Sequence, residues 1–183
     1  MQRIWLMRHG EAFDDVNNTF GGWADDKPTE KAMRDAEKVL EKLRELPIEL
    51  IISSPLKRAA IPAKLFANVL RVPIEIREDF KERNTYGFLT GMNKDVAKKK
   101  YPQLVAELSD LNFTIEGGEP FARVRKRVLS GLKKVIKNGK NTLVVSHGGA
   151  IRTILREFGQ PRDANPEDFE IIEITHLTKK HAL

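Results

Sequence analysis

Two histidine-glycine pairs each follow a short apolar run: Ile4 to Met7 leads into Arg8-His9-Gly10-Glu11, and Thr142 to Ser146 leads into His147-Gly148-Gly149. A third apolar run, Ile48 to Ser53, ends at Ser54-Pro55, with Arg58 shortly after it. Runs of this length read as buried strands, and in open α/β sheets ligands gather outside the strands' carboxyl ends. The pattern therefore predicts that the imidazoles of His9 and His147 and the guanidiniums of Arg8 and Arg58 converge at one edge of a sheet. Gly148-Gly149 also opens a helix, whose free amide hydrogens and positive dipole end favour an anion.

These groups suit phosphoryl transfer from a monoester, which needs a nucleophile in line with the leaving oxygen and positive donors on the equatorial oxygens. A neutral imidazole can be that nucleophile, giving a phosphohistidine that water later hydrolyses. On this reading His9 attacks, Arg8, Arg58 and His147 hold the phosphoryl oxygens, the Gly148 amide supports them, and neither a metal nor another cofactor is required. An alcohol leaving group needs a proton, which Glu82 can supply, with Asp79 as the second candidate. Arg8 and His9 alone would read as a strand-end ion pair beside a capped imidazole; the company of Arg58 and His147 argues against that.

The elements that must position these residues follow from periodicity. Thr29 caps a helix marked by Ala32, Ala36, Val39, Leu40 and Leu43, which stops near Pro47. Ser54-Pro55 reads as the cap and first position of a second helix, striped by Ala59, Ala63, Phe66 and Leu70. Within it Pro62 deletes the hydrogen bond to the Arg58 carbonyl, which predicts a kink there. Further strands are expected at Val72 to Ile76 and Phe169 to Thr175, and further helices at 120–137 and 149–158, the last ended by Gly159. Residues 12–28 read as a loop, 80–118 as an irregular polar insertion over the site, and 178–183 as a frayed end. Alternating strands and helices predict a three-layer α/β/α sandwich around a mostly parallel sheet.

The chain has 183 residues, 40% hydrophobic and 32% charged, which suits one domain spanning 1–183 with its own core. It has no cysteine, which excludes disulfides, thiolate metal sites and a cysteine nucleophile. No apolar run approaches a signal peptide or a membrane span, so a soluble, cytoplasmic protein is expected, with no membrane partner. Net charge is +6, and the densest basic runs are Lys98-Lys99-Lys100 and Arg123 to Arg127. Neither is interleaved with stacking aromatics, and the second lies on the polar face of the 120–137 helix, so no nucleic-acid partner is expected. The expected partner is a small phosphomonoester; oligomeric state is not legible. His176 and His181 have no metal-ligand spacing.

Taken together, the motifs resemble the histidine phosphatase superfamily, in the branch that includes cofactor-dependent phosphoglycerate mutases. Arg8-His9-Gly10-Glu11 is similar to that family's opening motif, Ser54-Pro55-Leu56-Lys57-Arg58-Ala59 to its Ser-x-Leu-x-Arg-Ala motif, and Ser146-His147-Gly148-Gly149 to the motif of its second histidine. Gly21-Gly22-Trp23-Ala24-Asp25 resembles the Gly-Trp-x-Asp loop, Gly117-Gly118-Glu119 precedes a helix carrying Arg127, and Glu82-Arg83-Asn84-Thr85-Tyr86-Gly87 resembles Glu-Arg-x-Tyr-Gly with one extra residue. The resemblance implies phosphorylation of His9, acid catalysis by Glu82, and substrate contacts from Asp15, Asn18, Gly22 and Tyr86. Two departures favour a phosphatase over a mutase. Ala12 and Asp14-Asp15 stand where mutases carry Ser and Trp-Asn, and no pair of adjacent arginines lies between Gly91 and Glu119 to clamp a substrate carboxylate. Asp14 and Asp15 would also repel such a carboxylate if they face the site. A noncatalytic member that only binds phosphate or phosphoprotein is the alternative from another class.

Overall fold

The computed structural model describes residues 2–160 and 165–174. Five strands, β1 (Ile4–Arg8), β2 (Leu50–Ser53), β3 (Ile74–Ile76), β4 (Thr142–Ser146) and β5 (Ile171–Ile174), form one sheet in the order β3-β2-β4-β1-β5. β1, β2, β3 and β4 pair in parallel, and β5 joins the β1 edge antiparallel. The register sets Arg8 opposite Ser146 and Ser53 opposite Val145, so His9, Ser54 and His147 leave the sheet side by side.

Side chains alternate along the strands and fill two cores. Leu6, Ile52 and Val144 face α6 (Phe121–Asn138) and α7 (Gly148–Glu157), against Val128, Leu132, Ile151 and Ile154. Trp5, Met7, Ile51, Leu143 and Val145 face α2 (Glu30–Arg44) and α3 (Lys57–Leu70), against Ala36, Leu43, Ala63 and Phe66. This is the expected three-layer sandwich. Thr29 caps α2 as its sequence predicts, its Oγ1 accepting from Ala32 N at 3.1 Å.

Four local expectations are corrected. α3 begins at Lys57, with Leu56 rather than Ser54 as its N-cap, because the Ser54 hydroxyl is drawn to His147. The Lys57 amide is instead capped from a distance by Asp25 Oδ1 at 2.9 Å. Pro62 is buried inside α3, which continues past it to Leu70. Residues 12–28 include a short helix, α1 (Phe13–Val16), where the Asp15 carboxylate accepts from the Ala12 amide at 3.0 Å. The insertion is not irregular throughout. Preceded by a 3-10 turn at Glu78–Phe80, it holds another at Gly87–Leu89 and two helices, α4 (Lys94–Lys100) and α5 (Pro102–Glu107). Asn93 caps α4, Pro102 opens α5, and Lys98-Lys99-Lys100 is the last turn of α4, where cations suit the helix dipole. Leu89, Ala97 and Ile115 form a small third core with Phe20. The strands at Leu50, Ile74 and Ile171 start later than their apolar runs suggest, and Thr175, His176 and 178–183 lie outside the described residues. Among the described residues no helix is long and apolar enough to cross a membrane.

The turn preceding the insertion is pressed against α6 at Gly131, where a Cβ would stand 2.5 Å from Asp79 Cβ. Gly131→Ala should therefore lower the unfolding free energy by about 1–3 kcal/mol, the cost of overpacking, read by urea denaturation.

Candidate active site

Four chain segments meet at the carboxyl edge of the sheet. β1 delivers Arg8 and His9, β2 delivers Ser54 and then Arg58 on the first turn of α3, and β4 delivers His147 and the amino end of α7. The loop after the 3-10 turn at Glu78–Phe80 brings Glu82 above them.

The two imidazoles stand edge to face with centroids 4.9 Å apart. His9 Nδ1 lies 2.7 Å from the Gly10 carbonyl oxygen, an acceptor only, so Nδ1 carries the hydrogen and Nε2 presents a lone pair. Arg58 Nε donates to that Nε2 at 3.2 Å. Burial, and then the Arg58 charge, push His9 from its ordinary 6.5 down to about 3. A buried, neutral imidazole with its Nε2 lone pair toward a guanidinium is a nucleophile held ready.

His147 is set by a different partner. Its Nε2 lies 2.6 Å from Ser54 Oγ, which itself accepts from the Leu56 amide at 3.3 Å. When the serine donates its hydrogen to Nε2, the imidazole hydrogen falls on Nδ1. Among the described residues, His147 Nδ1 is one of two buried side-chain polar atoms without a partner; the other is Asp14 Oδ1. Burial, with His9 and Arg58 nearby, holds His147 well below its ordinary value. A neutral ring with an unused Nδ1–H is a donor awaiting an acceptor such as a phosphoryl oxygen.

Arg58 is 2% exposed and donates to the Gly22 carbonyl at 2.8 Å and the Ala24 carbonyl at 2.7 Å. Gly22 has φ +53°, a conformation that disfavours other residues and turns its carbonyl to this use. Arg8 is anchored by Asp168 at 3.1 Å and by the Pro166 carbonyl at 3.2 Å. Glu82 Oε2 accepts from the Gly149 amide at 3.2 Å and Oε1 from the Arg83 amide at 2.7 Å. A Cβ at Gly149 would collide with Glu82 Oε1 and displace that carboxylate from its place over the site. Behind Glu82, Arg127 pairs in bidentate fashion with Glu119 at 2.8 Å and donates to the carbonyls of Asp79, Lys81 and Glu82. Trp23 Nε1 donates to the same Glu82 carbonyl at 2.7 Å.

The structure thus gathers Arg8, His9, Arg58, Glu82, His147 and Gly148, and sorts the remaining expected contacts. Tyr86 stacks on Phe20 at 4.5 Å and lines the cavity beside Glu82. Gly22 serves the site through Arg58. Asp15 is exposed and caps α1, and Asn18 is exposed and tied to Asp95 of α4 at 2.9 Å, so each is engaged away from the histidines. Of the two aspartates it is Asp14 that faces inward, against Gly21; burial raises its pKa while Arg58 opposes the shift. Asp79 pairs with Arg77 at 2.7 Å and leaves Glu82 as the carboxyl group over the site. Trp23 is 38% exposed at the rim. Sequence reasoning missed Ser54 as the partner of His147 and Arg127 as the support of Glu82. Among the described residues no three His, Asp or Glu side chains converge as a metal set.

The buried histidines give stability a pH dependence. Unfolded, His9 binds a proton near 6.5; folded, it refuses one until about 3. Stability should therefore be flat above that upper value and decline through the window below it, by up to about 1.4 kcal/mol per pH unit for each such histidine. Urea denaturation at stepped pH should show this slope in the wild type and a shallower one in His9→Gln.

Comparison with known proteins agrees with the geometry. Residues 4–181 match the histidine phosphatase superfamily (branch 1). A 2,3-bisphosphoglycerate-dependent phosphoglycerate mutase of Cytophaga hutchinsonii is 29% identical over 95% of this chain and 84% of its own length. The "Uncharacterized phosphatase PhoE" of Bacillus subtilis is 31% identical over 86% and 77%. The solved structure of Bacillus stearothermophilus YhfR superposes with a TM-score of 0.85 at 23% identity, covering 95% of this chain and 91% of that one. With two histidines and two arginines at the edge of this sheet and the family match running through almost all of it, the chain belongs to branch 1 of the histidine phosphatase superfamily.

Proposed function

We propose that the protein is a metal-independent phosphatase that hydrolyses a phosphomonoester through a phosphohistidine on His9. The observation that carries this reading is the placement of the two rings: His9 sets Nδ1 against the Gly10 carbonyl and Nε2 toward Arg58, and His147 keeps an unpartnered Nδ1 beside it.

The monoester enters with its phosphoryl oxygens between Arg8, Arg58, His147 and the Gly148 amide, which are placed for the charge that develops on them. Arg58 Nε turns from His9 Nε2 to a phosphoryl oxygen, which frees the lone pair. The Nε2–P bond forms as the P–O bond to the leaving group breaks, and Glu82 delivers its proton to the departing oxygen. Water then attacks phosphorus while the Glu82 carboxylate takes its proton, the Nε2–P bond breaks, and inorganic phosphate leaves. Ser54 acts throughout by holding the His147 tautomer.

A phosphatase is favoured over a mutase because residues 91–119 contain no arginine with which to clamp a carboxylate in the mutase manner. A mutase must also retain a bisphosphate intermediate until it reorients, a further demand that a phosphatase does not face.

Hydrolysis of p-nitrophenyl phosphate in excess chelator tests the proposal. The wild type should turn over and accumulate acid-labile phosphoenzyme, and His9→Ala should do neither. Glu82→Gln should cost roughly 10²–10⁴ in kcat on an alkyl phosphate and far less on p-nitrophenyl phosphate, whose leaving group barely needs a proton. Phosphoenzyme that persists without turnover would support the binding-only alternative. Transfer between phosphoglycerates that outpaces phosphate release would support a mutase. Ser54→Ala, which removes the fixed tautomer of His147, should lower kcat/KM by roughly tenfold, the worth of one hydrogen bond, without changing the fold seen by circular dichroism.

A further inference from the structure

The geometry points to a subsite for a second anionic group, a carboxylate or a phosphate, carried by the substrate's leaving group and held by Arg152 and Arg156. The inference rests on the hydrolase reading above and names the substrate class of that same site.

A cavity of about 440 Å³ opens directly beside Glu82 and Gly149, a size that admits a small organic leaving group. Its wall carries three guanidiniums, from Arg83, Arg152 and Arg156, and one carboxylate, that of Glu82. Arg83 is built into the wall, 7% exposed and donating to the carbonyls of Glu119 at 3.0 Å and Phe113 at 2.9 Å. Arg152 and Arg156 are one turn apart on α7 and share its cavity face. The Arg156 guanidinium lies 5.8 Å from the centroid of Phe121, which gives the cavity an apolar floor between cations.

Position along α7 sets the reach. The leaving oxygen has to lie at Glu82 to be protonated, and Glu82 is held by the Gly149 amide. Arg152 and Arg156 follow Gly149 by three and seven residues, roughly 5 and 10 Å farther along the helix axis. A group four to seven bonds from the scissile oxygen therefore meets them.

Tyr86 lines the same cavity as the two arginines. A leaving group with a distal anion is drawn along α7 toward Arg152 and Arg156, which orients it; an uncharged one gains nothing from them.

Three matched probes test this: n-pentyl phosphate, 5-carboxypentyl phosphate and 1,5-pentanediol bisphosphate. The two anionic probes should exceed pentyl phosphate in kcat/KM by roughly tenfold or more, the worth of a charge-assisted contact, and mainly through KM. The larger of the two advantages tells whether carboxylate or phosphate is the preferred group. Arg156→Gln and Arg152→Gln should each bring the ratio toward one, and added salt should do the same in the wild type. Equal handling of all three probes, or a preference that survives both substitutions, overturns the proposal. If neither these probes nor p-nitrophenyl phosphate is hydrolysed, it is the hydrolase reading that fails. Calorimetric binding of pentyl and carboxypentyl phosphate then decides the subsite, and equal affinities overturn it.

Discussion

A guanidinium buried at the edge of the sheet organises this molecule. Arg58 is 2% exposed, and its three nitrogens reach the Gly22 carbonyl, the Ala24 carbonyl and His9 Nε2. A charge taken that far from water has to be solvated by the protein, and two carbonyls with an imidazole lone pair do so. Each bond has a consequence. The carbonyls hold the 21–25 loop against the site, from which Asp25 reaches the first amide of α3, the helix that carries Arg58. Burial first, and then this third bond, keep His9 neutral, because a protonated ring could not accept it and would face a like charge at the same distance. Cation, nucleophile and loop therefore depend on one another.

The part of this arrangement that was legible in the sequence is the part with local signals. Arg8-His9, Ser54 to Arg58 and Ser146 to Gly149 each directly follow an apolar run, and strand ends in a parallel sheet converge, so the positions could be placed without coordinates. Roles that depend on partners far along the chain were not legible. Ser54 reads as a helix cap from its neighbours, yet its hydroxyl belongs to a ring 93 positions away. Arg127 sits in a basic run on an amphipathic helix, and only folding brings it to the Glu82 carbonyl 45 positions earlier. Asp14 and Asp15 are adjacent and alike, and which one turns inward is decided by the short helix α1, too brief to leave a periodicity.

The same distinction explains the fold. β1 and β4 are buried on both faces and show as unbroken apolar runs, and α2 and α6 carry stripes long enough to read. The insertion lacks such a stripe because its core is assembled from scattered residues. Phe20 comes from the first loop, Leu89 from a 3-10 turn, Ala97 from α4 and Ile115 from the approach to α6. A window over 80–118 sees apolar pairs and triplets such as Phe88-Leu89 and Leu104-Val105-Ala106 broken by glycines and polar residues, with Asn93 and Pro102 as marks of helix starts.

The treatment of Glu82 shows where selectivity has to reside. Its carboxylate is held by two amides, its own carbonyl by Arg127 and Trp23, and the helix beneath it has no side chain at Gly149 that could push it aside. A carboxyl group fixed from so many directions cannot adjust itself to differently shaped alcohols. On the proposed mechanism it defines one point where a leaving oxygen must lie, just as Arg8, Arg58 and His147 define one place for the phosphoryl group. With both ends of the scissile bond fixed, discrimination between substrates falls to whatever surrounds the remainder of the leaving group. On the proposed mechanism that surrounding is the face of α7 beyond Gly149 and the insertion opposite it, so selection of the substrate is assigned to the segment hardest to read in the sequence.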